Sequence, residues 1–406
     1  MGIGRELRQV SSRIVEWAMR SGAAPRSAAG GLSSDVLLFL ICSLLVVSVI
    51  ACGGDAYLDA DPLAPIPTNV EEDEILPPPL TAAWEISSLD EEGAPHVPSF
   101  RPAVGTNHVF LAFPGHVEAR RAHDGSESWR VELEPVAAPV VDNQELIVAT
   151  QGAIWWLDVR DGSFLGQRRM SQRPTRVAAA VEAVVFIDGA ALYQVDKNRQ
   201  GWVVEAVGAT ALVTNPSGDT AYVSTDNGIL MAIDTLSGNE RWRFTSTVEA
   251  RLSAAAVASD LVYVAGNDQF LTAINARDGS RKWQRHLGVD APGAPAVVGD
   301  IVYVAPLDSM LHGYKASNGS HLYNESLSAR TYVDLVGYEP WVVVGPRYGP
   351  WLRARAPRVF TPRVRLTSDT AVRGTDLRIS PGVGPAGVAV VNGDGRVILL
   401  IRQQPR

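Results

Sequence analysis

The stretch Val262–Leu287, VYVAGNDQFLTAINARDGSRKWQRHL, is followed at Val302–Leu327 by VYVAPLDSMLHGYKASNGSHLYNESL and preceded at Ala221–Phe244 by AYVSTDNGILMAIDTLSGNERWRF. The three are variants of one pattern: an aliphatic and tyrosine run, a turn at Gly or Asp, an alternating apolar segment, and a D-G-x-x-x-W close. Each half of the pattern reads as a β-hairpin, because Asp-Gly, Ser-Gly and Asn-Gly pairs accept the positive φ that tight hairpin turns require. Working outward, the turn column runs Gly115, Gly152, Gly189, Gly228, Asp268, Asp308, Gly349 and Gly395, with steps of 37, 37, 39, 40, 40, 41 and 46 residues. Eight members predict eight units, each a sheet of about four short strands. One such sheet cannot cover its own apolar faces, so a period near ~40 residues points to blades stacked around an axis. The fold expected is all-β: an eight-bladed β-propeller of four-stranded antiparallel blades, with seven blades as the alternative count.

A second column follows the Asp-Gly turn: Trp129, Trp202, Trp242 and Trp283, with Tyr323 and either Leu165 or Phe360 as weaker members. An indole buries on the order of 200 Å², so a tryptophan on an outer strand suits a wedge between blades better than a ligand platform. Trp84, in TAAWEI, has no unit before it, whereas the last unit, VAVVNGDGRVILLIRQQ, ends before any D-G-x-x-x-W. The two fragments complete each other. Residues near 80–88 are therefore expected to supply the outer strand of the final blade, closing the ring and removing an open sheet edge.

The D-G-x-x-x-W turn with its V-Y-V neighbour resembles the PQQ-like propeller repeat over roughly residues 80–402. That repeat is shared by quinoprotein alcohol dehydrogenases and by the BamB family of outer-membrane assembly lipoproteins. The WD40 class fits less well, since no Trp-Asp pair closes a repeat. Quinoprotein dehydrogenases are much longer and carry a vicinal disulfide, a calcium-binding carboxylate set and a catalytic aspartate. The only cysteines here are Cys42 and Cys52, both near the N-terminus. The resemblance to the BamB branch implies a non-enzymatic periplasmic scaffold that binds a protein partner, an outer-membrane barrel insertase. It assigns no binding residues, because that family's partner-contact loops have no motif to match in this chain. A surface propeller that binds carbohydrate or peptide is the alternative, and a quinoprotein-type oxidoreductase is the less favoured one.

Upstream of the repeats, Val36–Ala51 reads VLLFLICSLLVVSVIA, sixteen apolar or small residues without a charge. That is short of the ~20 residues of a membrane-spanning helix and close to a secretory apolar region. It ends in Val49-Ile50-Ala51-Cys52, which resembles a bacterial lipobox, so residues 1–51 read as a signal peptide and Cys52 as the lipidated residue. Arg20 and Arg26 would form the positive region. Translation starting at Met19 rather than Met1 would shorten an otherwise long leader. Gly53 and Gly54 lack the aspartate that retains such lipoproteins in the inner membrane, which implies the outer membrane, with the periplasmic or surface face open. Residues 52–79 are acidic and proline-rich and read as a tether of about 30 Å between the lipid and the propeller at 80–406.

Composition narrows the partners further. The chain is 46% hydrophobic and 20% charged with a net charge of −8, which gives no global positive field for nucleic acid. His108, His116 and His123 share the first unit, yet no carboxylate cluster accompanies them and their spacing shares no strand face, so no metal site is expected. No G-x-S-x-G frame is present, and Asp124, Asp161 and Asp278 read as turn formers. No catalytic, cofactor-binding or metal residue is therefore assigned, and a monomer is expected. The feature that stands apart is residues 347–378, where Arg347, Arg353, Arg355, Arg358, Arg363, Arg365, Arg373 and Arg378 face only Asp369 and Asp376. Guanidinium groups bind carboxylate and phosphate bidentately, so the first six form a candidate docking patch for an acidic partner. The same unit is the most irregular of the series, and repeat proteins often place a specific surface where the repeat breaks down.

Overall fold

The computed structural model describes residues 80–87, 96–197, 200–327, 330–344, 353–355, 379–392 and 395–402. The signal segment, Cys52 and the acidic tether lie outside these. Among the described residues there are only strands, turns and bends, and the strands form eight antiparallel sheets. Six of them follow one another along the chain as four-stranded blades. They are blade 1 over 103–132, blade 2 over 140–169, blade 3 over 176–205, blade 4 over 209–245, blade 5 over 256–286 and blade 6 over 296–326. A seventh four-stranded blade closes the ring. It joins Gly382–Gly384, Gly387–Val391 and Arg396–Arg402 to the N-terminal strand Leu80–Ser87. Between blade 6 and this closing blade lies a three-stranded sheet made of Val336–Tyr338, Trp341–Val344 and Arg353–Arg355. Seven blades have four strands, which matches the alternative count of seven, and among the described residues the irregular unit, expected as an eighth four-stranded blade, has three. Its continuation past Arg355 falls outside the described residues.

Burial explains why each segment takes its place in a blade. The second strand of blade 4, Thr220–Thr225, is buried at every position, as a strand covered on both faces must be. The outer strand Glu240–Thr245 alternates, with Trp242 and Phe244 buried and the residues between them exposed. Eight buried apolar clusters each bridge one sheet and the next. In one, Trp341 and Val343 of the three-stranded sheet meet Val390, Ile398 and Leu80 of the closing blade. In another, Trp84 and Leu399 of the closing blade meet Val109 and Leu111 of blade 1. The packing thus runs continuously around the ring.

The outer-strand tryptophans do more than fill space. The Trp129 indole N–H donates to the Val159 carbonyl of blade 2 at 3.2 Å, and that of Trp242 to Ala276 of blade 5 at 2.8 Å. Trp283 donates likewise to Ala316 of blade 6 at 2.9 Å, and Trp202 to Thr235 of blade 4 at 3.0 Å. Trp84 makes the same bond to Ala122 of blade 1 at 3.0 Å, so the displaced strand uses the same joint as the others. In each case the ring lies on the glycine of the neighbour's Asp-Gly-type turn. Gly279 has φ +72°, and a Cβ there would sit 2.9 Å from Cδ2 of Trp242. The turn therefore needs glycine twice over, for its backbone and for the indole.

Blade 2 breaks the column. The position equivalent to Trp129 is held by Gly166, which pairs across the sheet with Trp156, whereas Trp129 pairs with Ala119. The large and small residues have exchanged strands, and Leu165 is 43% exposed and wedges nothing. Phe360, the other weak candidate, lies outside the described residues. Two members of the turn column also shift by one residue, since the left-handed conformation in blades 5 and 6 belongs to Gln269 and Ser309 rather than Asp268 and Asp308.

Candidate functional site

The innermost strand of each sheet has one partner and turns its other edge toward the central channel. Such an edge strand tolerates proline, because no ladder bond requires the missing N–H. Pro102, Pro139, Pro295 and Pro381 stand at the starts of four of these strands and line the channel wall with Val140, Val297 and Leu335 around a cavity of about 410 Å³. Gly384 packs so closely on Val104 that a Cβ would overlap its carbonyl, which draws the closing blade and blade 1 together at the axis.

One end of the channel opens into a cavity of about 370 Å³ lined by the first strands of blades 3 and 4 and by the segments that lead into the other six sheets. Arg101, Arg176 and Arg251 reach it from the segments that begin blades 1, 3 and 5. Blades 2 and 6 present the small side chains Ala138 and Pro292 instead. Among the described residues, the only carboxylate lining this mouth is Asp334, just ahead of the three-stranded sheet. Asp334 is already engaged: its Oδ1 accepts the Ala294 N–H at 2.9 Å and its Oδ2 the Ser380 hydroxyl at 3.1 Å. Phe100, Leu212 and Ile379, all half-buried, line the same mouth. The described lining of the mouth therefore carries a local excess of positive charge beside apolar side chains, in a chain whose net charge is −8. Sequence reading did not single out these arginines, because each stands at the start of a different unit, far along the chain from the other two.

The arginine-rich segment is placed only in part. Arg353 and Arg355 lie on the third strand of the three-stranded sheet, opposite Val344 and Val342. Arg347, Arg358, Arg363 and Arg365 lie outside the described residues, as does Cys52. The expected docking patch is thus not brought together as a surface that can be described.

The three histidines of blade 1 go separate ways. His108 Nε2 lies 3.1 Å from the Ser128 hydroxyl, and burial pushes its pKa down. His116 stacks on Phe113 at 4.9 Å and lies 3.8 Å from Glu118, while burial, then Arg130, lowers its pKa. Glu118 is buried and held by Arg120 at 2.8 Å and Arg130 at 2.9 Å, so its charge is already compensated. His123 is exposed beside Asp124. Among the described residues no group of three or more His, Cys, Asp or Glu could hold a metal ion. The turn aspartates act as turn formers. Asp124 and Asp278 each accept hydrogen bonds from the N–H and hydroxyl of the serine two residues on, which hold both carboxyls below the usual carboxylate range.

Comparison with known proteins agrees with this architecture. A family model described as outer membrane protein assembly factor BamB matches residues 188–338, from the middle of blade 3 into the three-stranded sheet. A crystal structure of the computationally designed Ika8 protein superposes with a TM-score of 0.61 at 14% identity, over 80% of this chain and 100% of that one. The crystal structure of BamB from Moraxella catarrhalis matches at 17% identity with a TM-score of 0.47, over 66% of this chain and 97% of that one. No curated protein matches the sequence.

Proposed function

We propose that this chain, a PQQ-like propeller resembling BamB, is a non-enzymatic scaffold that binds a protein partner in outer-membrane protein assembly. The observation that carries the reading is the match of residues 188–338 to the BamB family model, a span that includes the whole of blades 4, 5 and 6. The geometry supports it as well. A ring closed by its own N-terminal strand is a rigid platform, and rigid platforms bind without first losing conformational entropy. In this reading Cys52 carries the lipid, the acidic tether spans the headgroup region, and the propeller stands at the outer membrane on its periplasmic or surface face. The partner is an outer-membrane barrel insertase, the propeller itself is monomeric, and nucleic acid plays no part.

Crosslinking in intact cells followed by mass spectrometry tests the proposal. Recovery of a barrel-assembly insertase is the expected result, and recovery of glycans alone would replace it with the carbohydrate-binding alternative. The arginine-rich unit is tested separately. Reversing Arg353, Arg355 and Arg358 to Glu is expected to weaken capture of the crosslinked partner, and an unchanged pull-down would remove that segment from the interface.

A further inference from the structure

We infer that the mouth of the central channel, through Arg101, Arg176 and Arg251, receives an acidic peptide segment of a protein partner. The inference rests on the protein-binding reading and names the chemistry of what is bound. Three arginines from alternate blades line one cavity of about 370 Å³, although they are far apart in sequence and only the closure of the ring assembles them. The one carboxylate at the mouth among the described residues, Asp334, has both oxygens occupied by the Ala294 N–H and the Ser380 hydroxyl. Arg176 donates to the carbonyl of its own neighbour, Thr175, at 2.8 Å, a bond that leaves its charge uncompensated. All three arginines are exposed, so their charge costs little to maintain and remains available to a ligand. Planar guanidinium forks match carboxylates bidentately. The half-buried Phe100, Leu212 and Ile379 of the same mouth would meet apolar side chains, which favours an extended peptide of mixed acidic and apolar residues.

The test uses the full chain in detergent and a fluorescein-labelled peptide of alternating glutamate and leucine, with a lysine-for-glutamate peptide as its counterpart. Fluorescence anisotropy is expected to show saturable binding of the glutamate peptide alone, weakening as salt rises, since exposed charge pairs are screened. The triple variant Arg101→Glu, Arg176→Glu, Arg251→Glu is expected to bind at least ~10-fold more weakly. The control Arg281→Glu, Lys282→Glu, on the exposed outer strand of blade 5, is expected to bind as the parent does. An unchanged circular dichroism melt of the triple variant shows that the ring persists. Equal binding of the two peptides, or undiminished binding by the triple variant, overturns the inference. So does complete displacement by inorganic phosphate at concentrations where the lysine peptide has no effect, which would assign the mouth to a free oxyanion. A partner crosslinked in cells without peptide binding removes this inference and leaves the scaffold reading standing. Peptide binding without any crosslinked insertase keeps the acidic-peptide site and removes the role in outer-membrane protein assembly.

Discussion

Trp283 shows how much of this molecule is settled by single side chains. Its indole is buried, its N–H is bonded to Ala316 of the next blade, and its ring lies where a Cβ on Gly319 would have to go. Trp283→Ala is expected to cost about 3–5 kcal/mol in urea unfolding, through lost burial and the cavity left behind. Trp283→Phe, which keeps an aromatic ring but removes the donor, should cost at least the ~1 kcal/mol of the lost bond. Gly279→Ala is expected to cost about 1–3 kcal/mol from its left-handed backbone alone, with overlap against Trp242 added. Leu165→Ala, at an exposed position in blade 2, should stay within about 0.5 kcal/mol of the parent. Equal effects at Leu165 and Trp283 would contradict the exchange of large and small residues seen in that blade.

Acid sensitivity also belongs to this scale. Asp234 accepts from the Arg241 guanidinium, with the Ser237 N–H and hydroxyl adding to it, and its carboxyl is held down to about 2. A depressed carboxylate contributes stability that is present above its unfolded value near 3.9 and lost as pH falls through the folded value. Asp234→Asn is therefore expected to lower stability at neutral pH while flattening its fall between about pH 4 and 2. The check is the urea midpoint followed across that range, and parallel profiles for parent and variant would rule out this contribution.

At the scale of elements, the strand Leu80–Ser87 decides whether the propeller is closed. It pairs antiparallel with Arg396–Arg402, buries Leu80 and Trp84 against two different neighbours, and carries the ion pair of Glu85 with Arg396 at 3.0 Å. A chain beginning after residue 87 loses both anchors and leaves Arg396–Arg402 as an open apolar edge, the arrangement that natural sheets avoid. Such a truncation is expected to aggregate or to unfold over a broad range, read by analytical ultracentrifugation and thermal melting. A sharp melt and a monomeric sedimentation profile would show that the strand is dispensable. This closure is legible in the amino-acid sequence, because Trp84 and the incomplete last unit each lack what the other has. The three-stranded sheet is less legible, since its segment lacks the regular D-G-x-x-x-W turn and periodicity offers nothing to align there.

At the scale of the whole molecule, the lipid anchor is the expectation most open to direct test. If Cys52 carries the lipid as proposed, Cys52→Ser is expected to move the protein from the membrane pellet to the soluble fraction and to abolish labelling by a palmitate analogue. Persistence in the pellet without label would point to another mode of attachment. The sequence by itself determined the repeat, the blade as its unit, the tryptophan joints and the closing strand. Each of these rests on local periodicity or on a turn whose residue types are dictated by backbone geometry. Only the tertiary structure showed that blade 2 exchanges its large and small residues between strands, and that Arg101, Arg176 and Arg251 share one mouth. The physical reason is the same in both cases. Such features depend on which side chains meet across strands or around a closed ring, and distance along the chain carries no record of that.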